Sequence, residues 1–171
     1  MKIGIISDSH KKAGRSIKAI DFLIDKKKVD YIIHAGDIVK REILEHLENR
    51  KVKYLAVLGN NDNHLVEYQK EFNLVQEPYY FKLNDLKIKL MHHPFYLVPD
   101  VDIVIFGHTH ISEIDYKNRT LFVNSGEICG RDTGRSEAMI LEITKDKYII
   151  TQLWRVVKNE NWSEKKVEFI K

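Results

Sequence analysis

Five runs of apolar, largely β-branched residues each stop at a short polar cluster, and this recurrence limits what the chain can fold into more than any other feature. Lys2–Ser7 leads into Asp8-Ser9-His10, Tyr31–Ala35 into Gly36-Asp37, and Tyr54–Leu58 into Gly59-Asn60. Lys87–Met91 leads into His92, and Val101–Phe106 into Gly107-His108-Thr109-His110. Runs of this length and composition read as buried strands. In an open α/β sheet the carboxyl ends of parallel strands face one crevice, where ligands bind. Clusters far apart in sequence are therefore expected to converge.

The segments between the runs sharpen the fold. Ile17, Ile20, Leu23 and Ile24 recur at helical spacing after Gly14, and a second helix is expected over Arg41–Glu48, with Ile43, Leu44 and Leu47 on its apolar side. Strand and helix thus alternate at first, which predicts a parallel sheet with right-handed crossovers. A weaker helix is expected over Leu65–Phe72. After Pro78 strands follow one another directly: Tyr79–Leu83 and Leu86–Met91 about an Asn84-Asp85 turn, Ile114–Tyr116 and Thr120–Asn124, then Ala138–Thr144 and Tyr148–Val156. From Asn159 to Lys171 an edge strand and a loose tail fit the pattern equally.

With 171 residues, 43% of them hydrophobic, the chain is expected to form a single domain over residues 1–171, with a core large enough to fold without disulfides. No apolar run approaches the roughly 20 residues that cross a bilayer, and no signal-peptide layout opens the chain, so a cytoplasmic location and no membrane partner are expected. Cys129 stands alone, which leaves any metal to oxygen and nitrogen ligands. A formal net charge of +3 is too small to argue for a nucleic-acid partner. Lys26-Lys27-Lys28 reads as the solvated, dipole-favoured end of a helix.

The polar clusters supply two carboxylates, one amide and four imidazoles: Asp8, His10, Asp37, Asn60, His92, His108 and His110. That is one ligand set for two divalent ions in a shared pocket. If strand geometry persists past Ser7, Asp8 and His10 point to the same side, and His108 and His110 share their one-residue gap. Asp37 has a second oxygen to offer, and a bridging carboxylate can hold two ions about 3.5–4 Å apart. Gly107 removes a side chain that would crowd the backbone beside the ions. Polar residues gather at strand ends in any case, because turns begin there. Four imidazoles in matching register are not explained that way.

The ordered set Asp-x-His, Gly-Asp, Gly-Asn, lone His and Gly-His-x-His, from Asp8 to His110, resembles the calcineurin-like metallophosphoesterases, and within them the small single-domain phosphodiesterases of the MJ0936 and YfcE type. The resemblance spans Lys2 to about Thr144. It implies an α/β fold in which two β-sheets form a sandwich flanked by helices, in agreement with an alternating first half and a strand-rich second half. It also implies that Asp8, His10 and His110 hold one ion, that Asn60, His92 and His108 hold the other, and that Asp37 bridges them. Asp37, Asn60 and His92 are accordingly assigned to catalysis. The expected activity is dinuclear-metal-dependent cleavage of a small phosphate ester, most readily a diester, by in-line attack of a hydroxide shared by the ions, which also neutralise charge on the phosphoryl oxygens. Manganese is the metal the resemblance implies; iron, cobalt, nickel and zinc suit the same ligands, whereas calcium and magnesium suit imidazole poorly.

Three departures from the family pattern bear on substrate. Asn61 stands where relatives with broad phosphatase activity carry a histidine that protonates the leaving alkoxide, and an amide has no matched pKa for that task. Diesters or aryl esters are therefore expected to outpace alkyl monoesters. His64 is a weaker candidate for the missing acid. His93-Pro94 replaces a Gly-His pair, and Glu127 stands where serine is usual, placing a charge that could tune substrate choice. Asn61, His93 and Arg131 are assigned to substrate contact; for His93, Arg131 and the nearby Arg135 a solvated side chain fits the sequence as well. His34 is read as a buried group orienting Asp37, His46 as exposed, and Trp154 and Trp162 as packed on a sheet.

Other readings compete. A non-catalytic scaffold like the retromer subunit Vps29 would share the fold, but the site there is depleted of key histidines. A broad-specificity phosphomonoesterase is a second alternative. A nuclease like Mre11 would need a capping domain and a basic stripe, neither evident here. Homo-oligomers are compatible with the sequence.

Overall fold

The computed structural model describes residues 1–159 and 161–171. Twelve strands are described: β1 (Lys2–Ile6), β2 (Tyr31–His34), β3 (Lys53–Val57), β4 (Leu74–Val75), β5 (Tyr79–Leu83), β6 (Leu86–Leu90), β7 (Ile103–Phe106), β8 (Ser112–Lys117), β9 (Thr120–Ser125), β10 (Arg135–Ile143), β11 (Lys147–Val156) and β12 (Ser163–Ile170). They form two sheets, one in the order β12-β11-β10-β1-β2-β3-β4 and one in the order β5-β6-β7-β9-β8. Helix α1 (Ala13–Asp21) runs on into a π-helical turn, Phe22–Lys26, and joins β1 to β2; α2 (Arg41–Asn49) joins β2 to β3.

The expected parallel unit is present, since β1, β2, β3 and β4 pair in parallel register. The second sheet also has a parallel centre, β6-β7-β9, with β5 and β8 added antiparallel at its edges. The hairpin reading of β5–β6 and β8–β9 holds, but it concealed that centre, because only tertiary contact decides that β9 rather than β8 lies beside β7. The carboxyl-terminal segment resolves as an edge strand, β12, antiparallel to β11. The expected helix near Leu65 is a 3-10 segment, Asn63–Lys70.

Both faces of the first sheet are buried, and the period-2 alternation of a strand divides its residues between them. Ile3, Ile5, Ile33, Leu55 and Val57 meet Ile88, Leu90, Ile103, Ile105, Leu121 and Val123 of the second sheet. Ile6 and Ile32 turn to the other side and pack under Ile20, Leu23, Ile43, Leu44 and Leu47 of the helical layer. Burial of large side chains such as these contributes about 1.5–3 kcal/mol each. Trp162 stacks on Phe22 with centroids 5.0 Å apart, tying β12 to that layer. His46 is half-buried rather than exposed: its Nε2 lies 2.8 Å from Asp21 Oδ1, linking α2 to α1. Among the described residues no helix is long and apolar enough to cross a membrane.

Candidate metal centre

β1, β2, β3, β6 and β7 deliver their following residues to one edge, where the two sheets meet. Backbone bonds lace these loops together: the Asp8 amide donates to the Gly36 carbonyl, the His10 amide to Asp37 and the Gly107 amide to His92, at 3.0, 3.0 and 3.1 Å. Gly36, at φ 91°, lets the ring of His92 lie against its backbone; a Cβ there would sit 2.5 Å from His92 Nδ1. A Cβ on Gly107 would meet Ser7 Oγ at 2.1 Å and the Ala35 carbonyl at 2.6 Å, so this glycine serves close approach of the loops to each other.

Extended geometry does not persist past Ser7. Asp8, His10, Asp37, His108 and His110 all have left-handed φ values, 54°, 45°, 54°, 69° and 61°. Convergence is thus produced by turning each residue out of the strand rather than by strand alternation. Each such non-glycine conformation costs about 1–2 kcal/mol and persists only where surrounding structure holds it, as at functional sites.

All seven expected ligands are brought together. Asp8 Oδ1, His10 Nε2 and His110 Nε2 form one triad, with separations of 3.1 Å between the two nitrogens and 3.2 and 3.9 Å from the carboxylate oxygen to His110 and His10. His92 Nε2, Asn60 Oδ1 and His108 Nδ1 form another, at 3.0, 3.2 and 3.3 Å from one another. Asp37 lies between them, Oδ2 being 3.7 Å from His10 Nε2 and Oδ1 3.5 Å from His92 Nε2. Asp8, Asp37, His92 and His110 are buried, while His108 is exposed at the rim.

The donor set fits a cation. Asp8 Oδ1 is buried and makes no well-aligned hydrogen bond among the described residues, its neighbour being His110 Nε2 at 3.2 Å, and a bound metal would satisfy it. The other Asp8 oxygen accepts from Ser7 Oγ at 2.6 Å and from the His108 amide at 3.1 Å. His92 Nδ1 lies 2.9 Å from the Ala35 carbonyl, which can only accept; the ring proton is therefore there, and the Nε2 lone pair faces Asn60 and Asp37. Burial pushes His10 and His108 below the ordinary imidazole pKa, which keeps their lone pairs available. Burial works to raise the Asp8 pKa, but contact with His110 and Ser7 outweighs it and the carboxyl is held low; the same pair raises His110.

Several residues that organise the site were not singled out from sequence. Glu77 Oε2 accepts from the amides of His92 and His93 at 2.6 and 2.7 Å, and its Oε1 lies 2.6 Å from His93 Nδ1. Asp62 accepts from the amides of Ile38, Val39 and Gly59 at 3.0, 2.7 and 2.8 Å, clamping the Asp37 and Asn60 loops to each other. Asp132 Oδ2 lies 2.6 Å from His110 Nδ1. A buried or loop carboxylate gives no local sequence pattern, so only contact across the fold reveals these roles.

Other expectations need revision. Glu127 is fully buried and saturated by its own loop: it accepts from the amides of Arg131, Asp132 and Thr133 at 2.9, 2.7 and 2.6 Å, and lies 3.1 Å from His110 Nδ1. Its charge shapes the loop and faces His110 instead of the open pocket. His34 Nε2 lies 2.7 Å from Ser9 Oγ, which in turn accepts from Ser16 at 2.8 Å, so it braces the Asp8–His10 turn, not Asp37. Asn61 grips Asp37, its amide N–H donating to Oδ1 at 2.9 Å and its Nδ2 to Oδ2 at 2.7 Å, while also lining a cavity beside His10. His93 stacks on Phe95 and touches the ring of His108, with centroids 4.7 and 4.4 Å apart. Arg131 lines the cavity beside His10 and pairs with Asp132, whereas Arg135 is exposed at the start of β10. His64 lies 2.8 Å from the Val39 carbonyl.

Comparison with known proteins agrees with this geometry. Residues 1–146 match the family model of the calcineurin-like phosphoesterase superfamily domain. The phosphodiesterase MJ0936 of Methanocaldococcus jannaschii is 33% identical over 86% of this chain and 96% of its own length. A solved archaeal phosphodiesterase superposes with a TM-score of 0.74 at 29% identity, covering 98% of this chain and 100% of that one. The vacuolar protein sorting 29 protein of Cryptosporidium parvum shares the fold, with a TM-score of 0.80 at 22% identity over 99% of this chain and 98% of that one. By matched length, by identity and by fold, the chain belongs to the calcineurin-like phosphoesterase superfamily.

Proposed function

We propose that the protein is a phosphodiesterase that uses two divalent transition-metal ions to hydrolyse a small phosphate ester. The observation that carries this reading is the position of Asp37, one oxygen toward each of two separate ligand triads. Asp8, His10 and His110 would hold one ion, Asn60, His92 and His108 the other, and Asp37 both. Bound ions would supply Lewis-acid charge and acidify water, as such centres generally do; manganese is the first choice, with iron, cobalt, nickel and zinc compatible with the same donors.

The chain's own residues perform the remaining tasks. Two carboxylates leave a pair of dications in net excess, and Lys11, Lys12 and Arg131 line the cavity beside His10, so an anionic ester is drawn in. Asn61 fixes the orientation of Asp37 through both carboxylate oxygens. Neither that amide nor any side chain bonded to it provides a proton donor for an alkoxide, which favours diesters and aryl esters.

The test is to strip the protein of metal, restore manganese, iron, cobalt, nickel or zinc one at a time, and assay bis(p-nitrophenyl) phosphate against alkyl phosphates. Rescue by at least one metal, with the diester preferred, is expected. Failure of every metal to restore turnover would favour a protein-interaction scaffold, and faster alkyl monoester cleavage would favour a broad phosphomonoesterase.

A further inference from the structure

Large apolar side chains exposed on a protein surface are ordinary when they stand singly, whereas a contiguous group marks a place where something binds. Among the described residues most of those exposed here stand alone or in a pair, but Phe95, Tyr96, Leu97 and Val98 follow one another without a break. Phe95 is 73% exposed and Tyr96 56%. The four lie in the loop from β6 to β7, just after His92 and His93. This loop is tied down from inside. Lys89 of β6 is fully buried; its Nζ lies 2.6 Å from Asp100 Oδ1 and donates to the carbonyls of Tyr96 and Val98 at 2.9 and 3.5 Å. The Tyr80 hydroxyl donates to Asp100 Oδ2 at 3.1 Å. A buried ammonium holds such partners firmly, because losing one strands its charge away from water.

The Phe95 ring is fixed as well. It stacks on His93 with centroids 4.7 Å and planes 5° apart. His93 is held in turn by Glu77, whose Oε1 lies 2.6 Å from its Nδ1, and its ring centroid is 4.4 Å from that of His108 and 5.1 Å from that of His92. His108, His93 and Phe95 therefore form a continuous wall of rings that starts at the metal centre and ends on an exposed phenyl group. The patch itself is small. A protein–protein interface takes about 20–30 residues a side, far more than four consecutive side chains. Apolar surface does not continue outward either, since Lys87, Asp100, Asp102 and Arg119 line a polar depression of about 250 Å³ at the end of the loop.

We propose that the Phe95 ring seats a flat aromatic group carried on an ester arm of the substrate, stacked there while the phosphate occupies the metal centre. That the seated molecule is a substrate rests on the phosphodiesterase reading; the stacking site itself does not. Continuity with the metal centre selects this occupant, because whatever rests on Phe95 lies one ring beyond a group held at His108. A ring is favoured over an alkyl chain because the phenyl face is flat and already immobilised, so stacking on it sacrifices little side-chain freedom. His93 stands between His108 and Phe95, so an aromatic group set off from phosphorus by a spacer, as a base is by its sugar, reaches the platform better than an aryl group on the phosphate oxygen.

The test is calorimetric binding of uridine 5′-phosphate and ribose 5-phosphate to the manganese-loaded full chain, a pair that differs only in the base. Uridine 5′-phosphate should bind about tenfold more tightly, the usual scale of one base on one aromatic side chain. Phenyl phosphate should gain less over methyl phosphate. Phe95→Ala and Phe95→Leu should both bring the base preference to within about twofold of none, and Phe95→Trp should keep it. Ile170→Ala, which removes an equally exposed apolar side chain at the end of β12, should bind like the parent. Equal affinity for the two sugar phosphates, or binding of neither, overturns the proposal. An unchanged preference in Phe95→Leu also overturns it, since apolar contact without a ring would then suffice. So does sedimentation with phosphatidylglycerol vesicles, or self-association, that Phe95→Ala abolishes while no base preference is found, in favour of a membrane or a second copy. Absence of bis(p-nitrophenyl) phosphate hydrolysis with the base preference intact would sink only the phosphodiesterase reading.

Discussion

Glu137 makes the stability of this protein depend on pH in a direction opposite to most carboxylates. It sits in β10 with Oε2 buried and unpartnered among the described residues, so burial, with the neighbouring charge of Glu127 adding to it, pushes its pKa up to about 7 against the opposing influence of Arg135. The unfolded chain ionises at the ordinary value of 4.5, so as pH rises from about 4.5 to about 7 the unfolded state gives up its proton while the folded state keeps it. Stability is therefore fully present below the lower value and lost on passing the upper one. At 1.36 kcal/mol per pKa unit the gap sets an upper bound of about 3.4 kcal/mol. Glu137 is only half-buried, and solvent screening brings the expected effect to roughly 1–2 kcal/mol. Glu137→Gln removes the titration while keeping the shape. The melting temperature of the wild type should fall relative to that of the variant between pH 5 and 8, by about 3–6 °C at the upper end. An amide in this position also lacks partners, but that cost is the same at every pH, so the slope of the difference carries the test. A wild-type-minus-variant difference that stays constant from pH 5 to 8 would refute the reasoning.

Two further perturbations probe the centre. Glu127→Gln leaves the loop amides of residues 131–133 with a weaker acceptor and removes the charge facing His110; metal affinity measured by calorimetry should drop about 10–100-fold, with little change at the His92 side of the site. Asn61→Ala removes the side-chain bond to Asp37 Oδ2, while the backbone N–H keeps its bond to Oδ1, and should lower kcat for a diester more than it raises KM, a split that a substrate-contact role for Asn61 would reverse.

Much of the architecture was legible because it follows from local pattern. The β-branched runs ending at Asp8, Asp37, Asn60, His92 and His108 marked five strand ends, and the apolar spacing of Ile43, Leu44 and Leu47 marked α2 within a residue of its observed bounds. What was misread depended on partners distant in sequence. Asp8 and His10 were expected on a continuing strand, but the Gly36 and Asp37 carbonyls accept their amides and hold both in left-handed turns. His34 was expected to serve Asp37, but Ser9 and Ser16 meet it first. Glu127 was read as a charge able to tune substrate choice, but its own loop encloses it.

By itself the sequence determined which chemical groups are present and in what order, because periodicity and turn chemistry act over a few residues. It could therefore name seven candidate metal ligands and the strands that carry them. Only the tertiary structure decided how those groups face one another, that Asp37 is shared between two triads, and that Glu77, Asp62, Glu127 and Asp132 stand behind the ligands. The reason is physical: hydrogen bonds and electrostatic fields depend on distance in space, and a linear pattern carries that distance only where the chain is locally regular.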